Sequence, residues 1–160
     1  MSEQITSEPL DGYRLCVGIF LLNESGKVFV GNRLNAQDAW QFPQGGIDEN
    51  EKPIDAAYRE MKEEIGTDSA EVLAISGVWR SYDLPNEIAA KMWGGRFRGQ
   101  CQKWIALRFT GKNSEIDLNV EHPEFSSWQW IDPAKAIDLV VPFKRQIYVS
   151  VVDEFRRQWA

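Results

Sequence analysis

Apolar residues along the chain fall into runs and stripes separated by turn residues. Residues 14–22 (RLCVGIFLL) are a long β-prone run. NESG at 23–26 supplies turn chemistry, and 27–33 (KVFVGNR) reads as the paired strand of a hairpin. A polar loop at 35–39 precedes a short strand at 40–43 (WQFP). Ile54, Ala57, Met61 and Ile65 then recur at helical spacing. Pro53 suits the first turn of that helix, and Gly66 stops it. Residues 70–82 resume β character. Residues 84–98 (LPNEIAAKMWGGRFR) carry Pro, Gly-Gly and two Arg, which predicts an insertion or mobile loop. A strand at 100–109 follows, then a polar turn or short edge at 111–119, a loop at 121–125 and an alternating strand at 127–131 (SWQWI). Asp132 and Pro133 open a short helix to Ile137. Phe143, Ile147, Val151 and Phe155 stripe a last amphipathic helix reaching Gln158. Mostly strands, with helices at separate points, predict an α+β domain with helices on both sides of a mixed sheet. Residues 1–11 (MSEQITSEPLD) are polar and predict a flexible tail, so the domain is taken as residues 12–160.

Composition narrows the class. The chain has 160 residues, 43% of them hydrophobic, with seven Trp, which fits one globular domain with a sizeable core. Net charge is −6 from 18 basic and 24 acidic residues, which argues against a general nucleic-acid coat protein but allows a local basic pocket. Cys16 and Cys101 offer at most one disulfide, and Cys16 lies in an apolar run suited to a small core residue. His122 is the single histidine, so no multi-histidine metal site exists. No apolar run approaches ~18 residues and no signal peptide opens the sequence, so a cytoplasmic protein is expected.

The chemistry gathers on the helix predicted after residue 52. Glu60, Glu63 and Glu64 are spaced i, i+3 and i+4 and share one side of it. At an effective dielectric of about 20, two like charges ~4 Å apart cost roughly 4 kcal/mol. A divalent cation would turn that repulsion into attraction, and oxygen ligands favour Mg²⁺, Mn²⁺ or Ca²⁺ over zinc. An isolated ExxEE is more often a solvated acidic face. The surrounding residues change that balance.

Gly45, Glu51, Arg59, Glu60, Glu63, Glu64 and Gly66 fit the pattern G-x5-E-x7-R-E-U-x-E-E-x-G-U, with Met61 at its first bulky apolar position. Seven fixed positions at about 7% usage each give a chance match of order one in a million over this length. The chain thus resembles the Nudix hydrolases. Thr67 departs from the usual larger aliphatic at the last position, which packs and does not react. The resemblance implies an α/β/α sandwich with a mixed central sheet. It implies metal-dependent hydrolysis of a phosphoanhydride, with Glu60, Glu63 and Glu64 and the Gly45 carbonyl binding Mg²⁺ or Mn²⁺. Arg59 and Glu51 would pair across the loop–helix junction. The general base is Glu60 or Glu124, and Glu124, in Pro123-Glu124-Phe125, would also approach the metals.

Outside that motif, GYR at 12–14, WQFPQGGI at 40–47, GQCQKW at 99–104 and Phe143-Lys144 resemble one Nudix subgroup. It holds bacterial RNA pyrophosphohydrolases and plant-type diadenosine tetraphosphate hydrolases, and the likeness covers residues 12 to 157. It implies a substrate with a 5′ polyphosphate: 5′-triphosphorylated RNA cut to a 5′-monophosphate, promoting mRNA decay, or a dinucleoside polyphosphate. It suggests Arg14, Arg33, Gln44, Tyr82 and Lys103 at the substrate and Phe143 against a base, with Arg96 and Arg98 adding charge for RNA. Lys103 also reads as a strand-surface lysine, Arg33 as a strand cap and Phe143 as ordinary core. A monomer or weak homo-oligomer is expected, with neither DNA nor a membrane as partner.

Overall fold

A computed structural model describes residues 4–159. Strand β1 is Gln4–Thr6, β2 Tyr13–Leu22, β3 Val28–Arg33, β4 Trp40–Gln41 and β5 Gln44–Gly46. Helix α1 is Pro53–Ile65, followed by β6 Ala70–Asp83, α2 Asn86–Lys91, β7 Gly99–Phe109 and β8 Phe125–Ile131. Helices α3 Pro133–Leu139 and α4 Arg145–Glu154 complete the fold. The sheet runs β1-β6-β7-β2-β3-β4, with β5 paired to β2 and β8 to β3. It is mixed: β2 and β7 are parallel from Tyr13↔Gly99 to Leu22↔Arg108, and the other pairs are antiparallel.

The long apolar run of β2 is explained by its position. Along a strand alternate residues face opposite sides, and both sides of β2 are covered. Val17, Ile19 and Leu21 meet Ala57, Met61 and Ile65 of α1. Phe20 and Leu22 meet Ile147, Tyr148 and Val151 of α4. The expected sandwich is therefore present, with α1 on one face and α3 and α4 on the other. Met61 is fully buried at the centre of the α1 layer, where truncation to Ala would cost roughly 2–5 kcal/mol.

Four expectations need correction. Gln4–Thr6 of the expected flexible tail pairs with β6, from Gln4↔Ser81 to Thr6↔Trp79, while residues 1–3 lie outside the described residues. The 23–26 turn forms, but β2 and β3 pair only at Leu22↔Val28, because β3 turns away to pair with β8 along its whole length. The 84–98 stretch is not a bare loop. Glu87, Ala89, Ala90 and Lys91 are good helix formers and build α2, with Pro85 as its boundary and Ile88 and Ala89 against the core. A 3-10 turn, Met92–Gly95, follows. The last helical stripe is one face but three segments: a 3-10 turn at Pro142–Lys144, α4, and a second turn at Arg156–Gln158.

Candidate functional site

The residues after β4 bring the carboxylates into one place. Gln44–Gly46 pairs with β2 at Cys16, Val17 and Gly18, which fixes that strand against the sheet. Helix α1 then starts at Pro53, so Glu60 and Glu64, one turn apart, point back over β5. A Cβ at Gly45 would collide with the Glu60 carboxyl group, and one at Gly46 with the Arg14 guanidinium. Both glycines leave room for these side-chain ends, and neither has a positive φ. The Gln44 backbone N–H donates to Glu64 Oε2 at 3.2 Å.

Arg59 locks the start of α1 to the loop before it. Its Nε donates to Glu51 Oε2 and its Nη2 to Glu51 Oε1, both at 2.8 Å, a bidentate pair. Nη2 also donates to the Gly46 carbonyl at 2.8 Å, and Nη1 to Glu60 Oε1 at 2.9 Å and Glu63 Oε2 at 3.1 Å. The Arg59 bonds hold the Glu51 carboxyl down to about 2.

Glu60, Glu64 and Glu124 line one cleft of about 710 Å³. Glu64 is 7% exposed. Burial, then the charges of Glu60 and Glu124, raise its carboxyl well above the usual range. Burial also raises Glu60, against the pull of Arg59. Among the described residues no three His, Cys, Asp or Glu side chains gather tightly enough to hold a metal ion. Glu63 is the member that is turned away, exposed and bonded to Arg59. The donor set still suits a hard divalent cation. It is all oxygen, and Glu64 is a buried carboxylate beside Glu60 and Glu124 that, among the described residues, has no cation in ion-pair contact.

The rest of the cleft is cationic and aromatic. Arg14 and Arg33 line it, as do Tyr82, Phe143 and Lys144. Among the described residues none of Arg14, Arg33 and Lys144 has a carboxylate in ion-pair contact. Lys144 is 7% exposed. Burial, then the charge of Arg33, lower its ammonium to about 8. A buried cation without a counter-charge is costly, and an anion entering the cleft would remove that cost. The tilted Phe143 ring lies 5.9 Å from that of Tyr82. The Tyr82 hydroxyl donates to Gln100 Oε1 at 2.7 Å, and both residues line the cleft. Gln44 Oε1 accepts from Gln102 Nε2 at 2.7 Å, which ties β5 to β7.

Lys103 is not at this site. Gln100, Gln102 and Trp104 of β7 face the cleft side, where Gln102 reaches Gln44 and Trp104 meets Phe42. Strand alternation puts Lys103 on the other face, with Nζ 5.5 Å from the centre of the Trp79 ring. Lys144 is the residue that sequence reasoning passed over. Its signals were its place in Phe143-Lys144, one of the segments that resemble the Nudix subgroup, and its position beside residues that had to be buried.

The NUDIX domain family profile matches residues 12–151. An RNA pyrophosphohydrolase of Rhodospirillum rubrum is 54% identical over 142 residues, covering 89% of this chain and 86% of that protein. One from Novosphingobium aromaticivorans is 51% identical over 150 residues, covering 90% and 92%. Among solved structures, the E. coli dihydroneopterin triphosphate pyrophosphohydrolase superposes with a TM-score of 0.64 at 19% identity, over 89% of this chain and 98% of that one. A C. elegans Ap4A hydrolase gives 0.59 at 16% identity, over 88% and 98%. At those identities the structural likeness shows the fold alone.

Proposed function

The chain belongs to the Nudix family, and from that premise we propose that it is an RNA pyrophosphohydrolase, converting the 5′-triphosphate end of RNA to a 5′-monophosphate. The observation that carries the reading is one cleft lined by charges of both signs. Half-buried Glu60 and buried Glu64 line it together with Arg14, Arg33 and Lys144, which among the described residues have no carboxylate in ion-pair contact. A polyphosphate there meets cations directly and needs a bridging cation to lie beside the carboxylates.

Nudix hydrolases depend on divalent metal. Mg²⁺ or Mn²⁺ fits the oxygen donors here, with Glu60, Glu64, Glu124, Glu63 and the Gly45 carbonyl as the candidate holders. The bound ion would neutralise phosphate charge and lower the pKa of a water. The protein's own groups supply the rest. Arg14, Arg33 and Lys144 hold phosphate oxygens by charge-assisted contacts. Phe143 offers a face for the first base, since base stacking on an aromatic does not read sequence. Arg59 keeps Glu60 in place through its bonds to Glu51 and the Gly46 carbonyl. Glu60 and Glu124 are the two candidates to take a proton from the attacking water. Glu60 is fixed by Arg59, whereas Glu124 is exposed on a loop.

Two relatives above 50% identity that bear the name RNA pyrophosphohydrolase support RNA over a dinucleoside polyphosphate. The test is parallel assay of 5′-triphosphorylated RNA and diadenosine tetraphosphate. Higher kcat/KM on RNA, giving a 5′-monophosphate end, is expected. Rapid cleavage of diadenosine tetraphosphate with none of RNA would assign the dinucleoside substrate instead.

A further inference from the structure

Arg14 is supported differently from the arginines that have partners. Arg59 reaches Glu51 at 2.8 Å, Arg80 reaches Glu154 at 2.6 Å and Arg98 reaches Asp83 at 3.0 Å. Among the described residues Arg14 has no carboxylate in ion-pair contact. The hydrogen-bond and stacking contacts it makes there are with neutral groups. Its Nη1 donates to Cys16 Sγ at 3.6 Å. Burial pushes that thiol up to about 12, so the sulfur stays protonated at neutral pH. Its Nη2 packs on Gly46, where a Cβ would collide with it. The guanidinium carbon lies 5.0 Å from the centre of the Trp93 ring, within cation–π range.

The backbone brings Trp93 to this place at a cost. Trp93 takes φ 50° and ψ 32°, and Gly94 and Gly95 follow at φ 69° and 72°. A bulky residue in the left-handed region costs on the order of 1 kcal/mol or more. The chain is pinned on both sides of it. Before it, α2 packs Ile88 and Ala89 against the core. After it, the Arg98 backbone N–H donates to the Gly12 carbonyl at 2.9 Å, and the Leu84 N–H donates to the Arg98 carbonyl at 3.0 Å. Gly12 lies two residues before Arg14, so the indole and the guanidinium are fixed to the same stretch of backbone. The strain thus falls on the residue whose ring meets a cation of the cleft.

We propose that Trp93 is a positioning residue for the reaction: its indole holds the Arg14 guanidinium in place for a phosphate oxygen, without a counter-charge that the phosphate would have to displace. A free arginine side chain must be ordered when substrate binds, and that ordering weakens binding. A carboxylate in place of the ring would order it too, but would compete with phosphate for the same N–H donors. The ring orders the cation and leaves its charge for the substrate. The proposal rests on the reading of Arg14 as a phosphate-holding residue. It gives the 84–98 segment a part in the reaction that acts through Arg14.

The test is a double-mutant cycle between Trp93 and Arg14. The probe is imidodiphosphate with Mg²⁺, whose P–N–P bridge resists hydrolysis, and binding is read by calorimetry. Trp93→Asn removes the ring, and asparagine enters the left-handed region more readily than most residues. Trp93→Leu takes its place if Trp93→Asn melts early. The Kd should rise about twofold to tenfold, the ordering cost of one long side chain. Trp93→Phe keeps an aromatic face and should restore wild-type binding. In an Arg14→Gln background, Trp93→Asn should change nothing further. The kcat/KM on a 5′-triphosphorylated dinucleotide should follow the same pattern. An equal loss in the Arg14→Gln background would show that Trp93 acts by another route and overturns the proposal. So does wild-type binding by Trp93→Asn, binding by Trp93→Phe as weak as that of Trp93→Asn, or equal binding by wild type and Arg14→Gln. If wild type binds the probe but cleaves no RNA, the activity reading fails while the cycle still decides the role of Trp93.

Discussion

The α1 carboxylates of the cleft come with β5 from one stretch of chain, whereas its cations are assembled from distant pieces. Gln44, Gly45, Glu60 and Glu64 belong to β5 and the helix after it, and Arg59 ties that unit together. Arg14 comes from β2, Arg33 from the bulged end of β3 and Lys144 from the turn before α4. Both sets hold charge under strain. Burial and neighbouring carboxylates push Glu64 up, and burial with Arg33 pushes Lys144 down to about 8. The difference lies in the means of support. The α1 carboxylates are braced by an arginine of their own helix, whereas among the described residues Arg14, Arg33 and Lys144 have no carboxylate in ion-pair contact. Each is unfavourable alone, and a polyphosphate with its cation offsets both together.

Breaking the carboxylate set should have the largest effect. Glu64→Gln should lower kcat by roughly 10²–10³, the usual loss when one group that stabilises transition-state charge is removed. The same change should raise the melting temperature of cation-free protein at neutral pH. The sign follows from the raised carboxyl. Between the unfolded and folded pKa values the native state binds more protons, so stability falls as pH rises through that window. An amide cannot ionise and escapes this loss. A fall in melting temperature with unchanged turnover would make Glu64 a structural residue.

The cations give the next effect, with the opposite dependence on pH. Lowering of Lys144 from 10.5 to about 8 means the unfolded chain binds more protons between those values, so wild-type stability rises with pH there. Below about pH 8 the charged form costs up to roughly 3 kcal/mol at about 1.4 kcal/mol per pKa unit. Lys144→Met should recover part of that in denaturant melts at pH 7, lose the advantage above about pH 10, and raise KM on every polyphosphate. A destabilised Lys144→Met protein at neutral pH would show that the ammonium has a partner in the folded state.

Arg59→Lys should come third. Lysine keeps the charge but cannot fork onto Glu51 while reaching Gly46 and Glu60. A loss of about 1.5–3 kcal/mol in stability is expected, with lower kcat. Acid should narrow the gap, because the Glu51 carboxyl held down to about 2 contributes stability above its unfolded pKa and loses it as pH falls through the folded value. Lys103→Ala should do least. Its ammonium lies over Trp79 on the far face, so stability should change by about 0.5–1 kcal/mol and kcat/KM not at all. A large loss in kcat/KM would return Lys103 to the substrate.

What could be read from the sequence follows the same division. The α1 glutamates, Arg59 and the glycines of β5 are neighbours along the chain, and helical spacing carries their relation directly. Arg14, Arg33 and Phe143 could be named only by resemblance, because sheet register and the return of α4 bring them together. Lys103 was misplaced by one residue of alternation: adjacent Gln102 faces the cleft and Lys103 does not. Lys144 stood in a segment that resembles the subgroup but was not assigned to the substrate, because a lysine between core positions reads as solvated. Trp93 gave no signal, since its placement depends on three successive left-handed residues beyond α2.

The most direct test of the central claim, that the buried carboxylates are held for a divalent cation, is calorimetric titration with Mn²⁺ in buffers of different ionisation enthalpy, from about pH 5 to about pH 8. Because Glu64 is raised well above the usual carboxylate range, wild type should release a proton as the ion binds, more so at lower pH. Glu64→Gln should bind more weakly with less release. Equal affinity and equal proton release in wild type and Glu64→Gln would contradict the account.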